Sequence, residues 1–295
     1  MSQANPSADI LGLMKFIKRS NNPLTPIYEA IANSLESLAN SKQEKPYINI
    51  DLHFSGILDD GKDLVEVKFT DNGEGFNQIS FGRFQRVFNP SKGFNNRGTG
   101  RVQYLHRFDK IKVNSTYIEN SKWQYREFES SLVEFIKDEE PKLSDNTEAK
   151  TVIALKGFKS NKSDREFFSA LGLSALRGMI LNFFSLRFFL EESKDKFQLP
   201  VISITFHKND EPSSSRKIMP SDILKPFKEG SFSVPKYEAV KTKDNLIEFF
   251  PLKGESEEFK WVTFEQSEDE LPINKAVFCS KDIAVESMKI PCINE

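Results

Sequence analysis

Three short stretches carry residue types at spacings that could do chemistry. The first is PIYEAIANSLESLAN, residues 26–40. On a helix, Ile27, Ile31, Leu35 and Leu38 share one face, and Glu29, Asn33 and Glu36 share the opposite one. The stretch holds two acids and no Lys or Arg. A solvated helix face usually mixes both signs to gain pairs three or four residues apart, so this face suits a cation or an ordered water. The second is VKFTDNGEGF, residues 67–76, where a strand ends at Asp71 and Gly73 and Gly75 follow. Glycines there let the backbone take positive φ and approach a ligand closely. A carboxylate beside bare backbone can read an exocyclic amine. The third is SKGFNNRGTGRVQYLHRF, residues 91–108, where Gly93, Gly98 and Gly100 lead into a helix. The first turn of a helix presents free N–H groups and a positive dipole end, an anion site. Residues 82–110 contain seven Lys or Arg residues against the single acid Asp109, which favours a phosphate. Each stretch alone also reads as something ordinary: a solvated face, a turn, a basic loop.

The elements that would position these residues follow from periodicity. Leu11, Met14, Phe16 and Ile17 predict a short amphipathic helix, ended by Asn21, Asn22 and Pro23. A second helix is expected from Thr25, acting as cap before Pro26, to about Asn40. YINIDLHF (47–54) and LVEVKF (64–69) alternate like half-buried strands, with a turn at 59–62 that makes an antiparallel hairpin. From Phe76 to Gly100 no period is clean and a long loop is expected. Val102, Leu105 and Phe108 mark a helix face. Strands are expected at 111–116, 123–128, 132–136, 151–156 and 201–207, with a long apolar helix over 164–193. Residues 1–9 read as a loose tail and 208–220 (KNDEPSSSRKIMP) as a linker. Residues 221–295 offer strands near 245–250, 259–264 and 275–279 and fewer helix signals.

Composition narrows the classes of function. A chain of 295 residues is a prior of about two domains. Its formal charge of −2 gives no global attraction to nucleic acid or to a membrane surface. The 27 Phe residues point to cores built from rings. Cys279 and Cys292 are too few for a disulfide scaffold, and His53, His106 and His207 have no metal-ligand spacing. No apolar run approaches about 18 residues, and the N-terminus has no basic start followed by an apolar core. A cytoplasmic protein without a membrane span is the expectation.

The order of the three stretches is more specific than any one of them. It runs from an acid-and-Asn helix through a strand and Asp-x-Gly-x-Gly to a basic segment and a glycine-rich helix start. In this order the chain resembles the GHKL superfamily of ATPases, which includes heat-shock chaperones, gyrase-type ATPase subunits, MutL mismatch-repair proteins and histidine kinases. The Glu-x-x-x-Asn box corresponds to Glu29 and Asn33, and Asp-x-Gly-x-Gly to Asp71, Gly73 and Gly75. The glycine box of the ATP lid corresponds to Gly98, Thr99 and Gly100, and the following Arg101 and LHRF look most like chaperone-type and MutL-type members. Thr151 in KTVIAL looks like the Thr that opens a strand beneath the base. Two positions depart from the pattern: Glu36-Ser37 stands for the usual Asp-Ala, and Lys150 for the usual Gly.

The resemblance implies an α/β fold of the two-layer Bergerat type, a mixed and mostly antiparallel sheet with helices on one face, over residues 10–207. Residues 221–295 would then be a smaller α+β, transducer-like second domain, incomplete at its end, with AVFCSKDIAVES (276–287) as its strand-turn-strand opening. It also implies ATP and Mg²⁺ as ligands. Asn33 would hold the metal, Asp71 the adenine amine, and Gly73, Gly75 and Thr151 the base. Gly98, Thr99, Gly100, Arg101 and Lys92 would hold the phosphates, with Arg97 as an alternative basic group. Glu29 would act as general base for slow hydrolysis. ATP binding would close the lid and promote a homodimer, with a further protein or nucleic-acid partner undefined. Two other outputs fit the same residues: a nucleotide-binding scaffold with negligible turnover, and a protein kinase of the same superfamily. Only about 25 residues precede the Glu29 helix and none is His, which disfavours the kinase. Nucleic-acid binding through 82–110 lacks the interleaved aromatics such surfaces use.

Overall fold

The N-terminal helix α1 (Ile10–Phe16) precedes the helix that organises the site, α2 (Thr25–Asn40). The latter is buried on more than its aliphatic stripe: Ile27, Ala30, Ile31, Leu35 and Leu38 are sequestered, and so are Ser34 and Glu36. Thr25 does not cap it. Leu24 holds the cap position, and the Thr25 hydroxyl turns back to Ser20 Oγ (2.8 Å) and Asn22 O (2.9 Å). Pro26 in the first turn costs no hydrogen bond, because that N–H has no intrahelical partner. The structure is a computed structural model. It describes residues 10–41, 43–58, 61–85, 100–133, 136–138, 140–159, 161–192, 198–208, 212–223, 226–241, 247–264, 275–280 and 283–289.

A hairpin follows, β1 (Tyr47–Leu58) and β2 (Gly61–Asp71). Next come helices α3 (Gln78–Gln85) and α4 (Gly100–Arg107), then strands β3 (Phe108–Glu119), β4 (Lys122–Ser131), β5 (Lys137–Asp138), β6 (Lys142–Leu143) and β7 (Lys150–Phe158). Helices α5 (Lys162–Ala170) and α6 (Leu173–Glu192) lead to β8 (Val201–Lys208) and β9 (Ser214–Ile218). The strands form one mixed sheet in the order β5-β4-β3-β7-β2-β1-β8-β9, with β6 also on β4. Among the described strands of this sheet only β1 and β8 run parallel; the other neighbours are antiparallel. The chain is therefore α/β with a large mixed sheet.

Period-two alternation gives that sheet one dry face. Ile48, Ile50 and Leu52 of β1, Val67 and Phe69 of β2, and Ile111 and Val113 of β3 are all buried. Ser34 of α2 reaches Asp71 on this same face, so α2 packs against it. The other face carries cross-strand ion pairs, including Lys112–Glu127 at 2.6 Å and Lys156–Glu66 at 3.6 Å.

Several expected elements differ. Part of the expected loop after Phe76 is α3, whose one buried apolar anchor, Phe81, is too little for a visible period. Among the described residues of 132–136 there is no strand, since β4 runs through Ser131 and Val133 is fully exposed. The long helix is two helices, interrupted at Leu171-Gly172. The stretch read as a linker contains β9, an edge strand whose first four residues are exposed and therefore polar.

The chain divides into two compact units, the second made of Ser185–Leu190 and the residues from Ile223 onward. That unit holds two antiparallel ribbons: β10 (Pro226–Lys241) with β11 (Ile247–Phe264), and β12 (Lys275–Ser280) with β13 (Ile283–Lys289). Apart from the α6 residues, the described part of that unit consists of strands. Pro235 and Pro251 lie inside the long ribbon and are incompatible with helix interiors. Among the described residues no single helix is long and apolar enough to cross a membrane.

Candidate functional site

Four segments distant in sequence meet on the dry face of the sheet. Glu29 and Asn33 lie one helical turn apart on α2. The end of β2 delivers Asp71. Gly100 opens α4, and Thr151 is the second residue of β7. Asp71 and Thr151 are direct cross-strand partners.

Asp71 is buried, at 3 % exposure. Its carboxylate accepts from Ser34 Oγ at 2.7 Å and from the Gly73 backbone N–H at 3.0 Å. Burial outweighs these two hydrogen bonds and raises its pKa from 3.8 to about 6. A buried carboxylate with so few donors still has acceptor capacity for a ligand amine.

The glycines are there for close packing. A Cβ on Gly73 would stand 2.8 Å from the Ser37 carbonyl carbon, so its absence lets the β2 end lie on α2. The Glu74 N–H donates to Ser37 O at 3.2 Å in the same contact. Gly75 has φ +73° and lies over β3, where a Cβ would be 2.7 Å from that of Tyr117. Next to it, Phe76 N–H donates to Ser115 Oγ, and Ser115 pairs with Thr151 through a 2.9 Å hydroxyl–hydroxyl bond. Asp71, Thr151, Ser115 and Arg126 thus form a polar band across four neighbouring strands, each at 3 % exposure or less.

The other wall is the α2–α4 contact. Gly100 abuts the Glu29 carboxylate, and Asn33 Nδ2 donates to the Tyr104 hydroxyl at 3.0 Å. Burial raises the Tyr104 pKa well above the ordinary phenol value, and the nearby negative charge of Glu29 adds to it. The Arg101 side chain donates to Arg83 O at 3.2 Å and lies 4.7 Å over the Phe84 ring. Burial lowers its pKa to about 10. Its backbone N–H lies in the first turn of α4.

The structure therefore brings Glu29, Asn33, Asp71, Gly73, Gly75, Gly100 and Thr151 into one region. Lys92, Arg97, Gly98 and Thr99 lie outside the described residues. Glu36, on the same α2 face, is buried at 7 % exposure. Sequence reasoning missed Ser34, Tyr104 and Ser115. Ser115 was detectable as a polar residue at an inward position between Val113 and Tyr117. Tyr104 was detectable as the residue one turn after Gly100.

Among the described residues no group of three His, Cys, Asp or Glu side chains converges to hold a metal. The Asn33 carboxamide oxygen is a hard oxygen donor, the type that Mg²⁺ takes one or two of beside its waters. On the open face, His207 bonds Asp51 (2.7 Å) and Ser213 (2.9 Å) and stacks on His53 at 4.4 Å between ring centroids. A scan against protein-family models finds no match, and a search among curated proteins finds none either.

Proposed function

We propose that this region binds ATP with magnesium and hydrolyses it slowly, as the GHKL resemblance implies, in a two-layer Bergerat-type domain followed by a transducer-like segment. The observation that carries the reading is the meeting of Glu29, Asn33, Asp71, Gly100 and Thr151, which span more than a hundred residues of chain but share one face of the sheet.

Each side chain has a task in this reading. The Asp71 carboxylate accepts the adenine amine, while Thr151 and the backbone at Gly75 border the ring. The backbone N–H groups at the start of α4, from Gly100 and Arg101, face the phosphates together with the helix dipole. The Asn33 carboxamide oxygen would hold magnesium, which would supply charge neutralisation at the phosphates. Glu29 takes a proton from water as the water oxygen attacks the terminal phosphorus. The bond to the ADP oxygen then breaks, leaving ADP and phosphate. Nucleotide-driven pairing of two copies is the proposed output.

Calorimetry and phosphate release test it together. Glu29→Ala should bind ATP like the wild type and lose about 10²–10⁴-fold in turnover, the usual worth of a general base. Asp71→Ala should lose nucleotide affinity, and Asn33→Ala its magnesium-dependent part. A folded wild type that gives no heat with ATP and Mg²⁺ overturns the reading.

A further inference from the structure

Helices α2 and α4 meet through two matched pairs, each pair one helical turn apart. Glu29 and Asn33 on α2 face Gly100 and Tyr104 on α4. The absent side chain of Gly100 lets the helices close, and closure places the Tyr104 hydroxyl 3.0 Å from Asn33 Nδ2. Tyr104 is 2 % exposed, so this hydroxyl is held by packing rather than by solvent.

A carboxamide has two unlike ends. Its oxygen can ligate a cation, while its NH₂ group presents positive hydrogens and repels one. An unrestrained Asn exchanges the two by rotating its terminal bond, which is a soft torsion. With Nδ2 engaged by Tyr104, Oδ1 is the end left for the site.

We propose that Tyr104 is a positioning residue that selects the oxygen end of Asn33 for a divalent cation. The proposal rests on the reading of this site as a magnesium–nucleotide site. Outer partners of this kind typically account for about 10–100-fold in metal affinity.

Tyr104→Phe keeps the ring and removes only the hydroxyl. The test is calorimetric titration with a non-hydrolysable ATP analogue, once in EDTA and once across a Mg²⁺ series. Affinity in EDTA should stay within about twofold of wild type, while the Mg²⁺ needed for half-maximal enhancement rises about 10-fold, the low end of that range. In an Asn33→Asp background both ends are oxygens, so Tyr104→Phe should then change nothing. Equal weakening with and without Mg²⁺, or a full effect in the Asn33→Asp background, means a structural role and overturns the proposal. So does an unchanged Mg²⁺ series. A wild type that binds the analogue in neither condition overturns the site reading itself, a different result from a wild type that binds while Tyr104→Phe is silent. A second measurement needs no Tyr104 variant. The Asn33 side-chain NH₂ resonance, identified by its loss in Asn33→Asp, should exchange slowly with solvent before nucleotide is added. Fast exchange overturns the proposal.

Discussion

Glu29 and Gly100 stand against each other so closely that a Cβ on residue 100 would meet the Glu29 carboxyl carbon at 3.1 Å. The obstacle is the end of a flexible side chain rather than backbone, so Gly100→Ala should fold. The carboxylate, however, must move. A misplacement of about 1 Å can cost about 10²-fold in rate. Gly100→Ala should therefore melt near the wild-type temperature and release phosphate at least about tenfold more slowly. An unchanged rate would show that Glu29 does not act from this position.

Glycines elsewhere in the unit divide by what a methyl group would meet. At Gly73 the neighbours are the Ser37 backbone carbon and Cβ, both at 2.8 Å, and neither can swing away. At Gly82, inside α3, nothing lies within 4 Å. Overpacking of the first kind costs about 1–3 kcal/mol, whereas Gly→Ala at an open helix position gains about 0.5–1 kcal/mol. Urea midpoints should fall for Gly73→Ala and rise for Gly82→Ala. Equal shifts would mean that β2 does not lie on α2 as closely as described.

Asp71 gives the site a pH signature. Its folded pKa is raised from 3.8 to about 6, with burial as the main cause. Between those values the folded state holds a proton that the unfolded chain has released, so this group's contribution to stability falls as pH rises through the window. Above pH 6 the ionised, desolvated carboxylate costs on the order of 3 kcal/mol, and below pH 4 that cost is gone. Other carboxylates add slopes of their own, so the readout is the difference between wild type and Asp71→Asn. Wild type should gain relative to the variant as pH drops from 7 to 4.5, measured by urea unfolding at both values. A difference that is flat with pH would contradict the buried, ionisable carboxylate.

Much of the site was legible in the sequence because its parts sit where local rules are strong. The Glu29–Asn33 spacing requires only that α2 be a helix. Asp71 ends a strand whose alternation places it inward with Val67 and Phe69. The pairing of Ser115 with Thr151 was not legible, because register across β3 and β7 is set by long-range contacts rather than by any residue nearby. The ribbon strand β10 escaped notice for a related reason. Its exposed residues, among them Phe232, Tyr237 and Val240, show no buried side to alternate against. The break between α5 and α6 was also hidden, since Phe167, Phe168, Leu171 and Leu176 continue an apolar run across a point where the chain turns.

A buried ion network ties the N-terminal segment to the helix that opens at the site. Arg107, the last residue of α4, is 1 % exposed and donates through Nε to Asp164 Oδ2 at 3.2 Å and through a second nitrogen to Ser20 O at 2.7 Å. Asp164 also pairs with Arg19, and its backbone N–H is capped by Asn161. Burial lowers the Arg107 pKa, and the Asp164 charge opposes that shift. Removing the acid strands a buried guanidinium, which typically costs about 3–5 kcal/mol, whereas an apolar replacement of the whole pair is often neutral. Asp164→Ala should therefore lose several kcal/mol, and Arg107→Met added to it should restore part of the loss. Chemical denaturation of the two single variants and the double variant closes the cycle. Losses that simply add would mean that the two groups do not depend on each other.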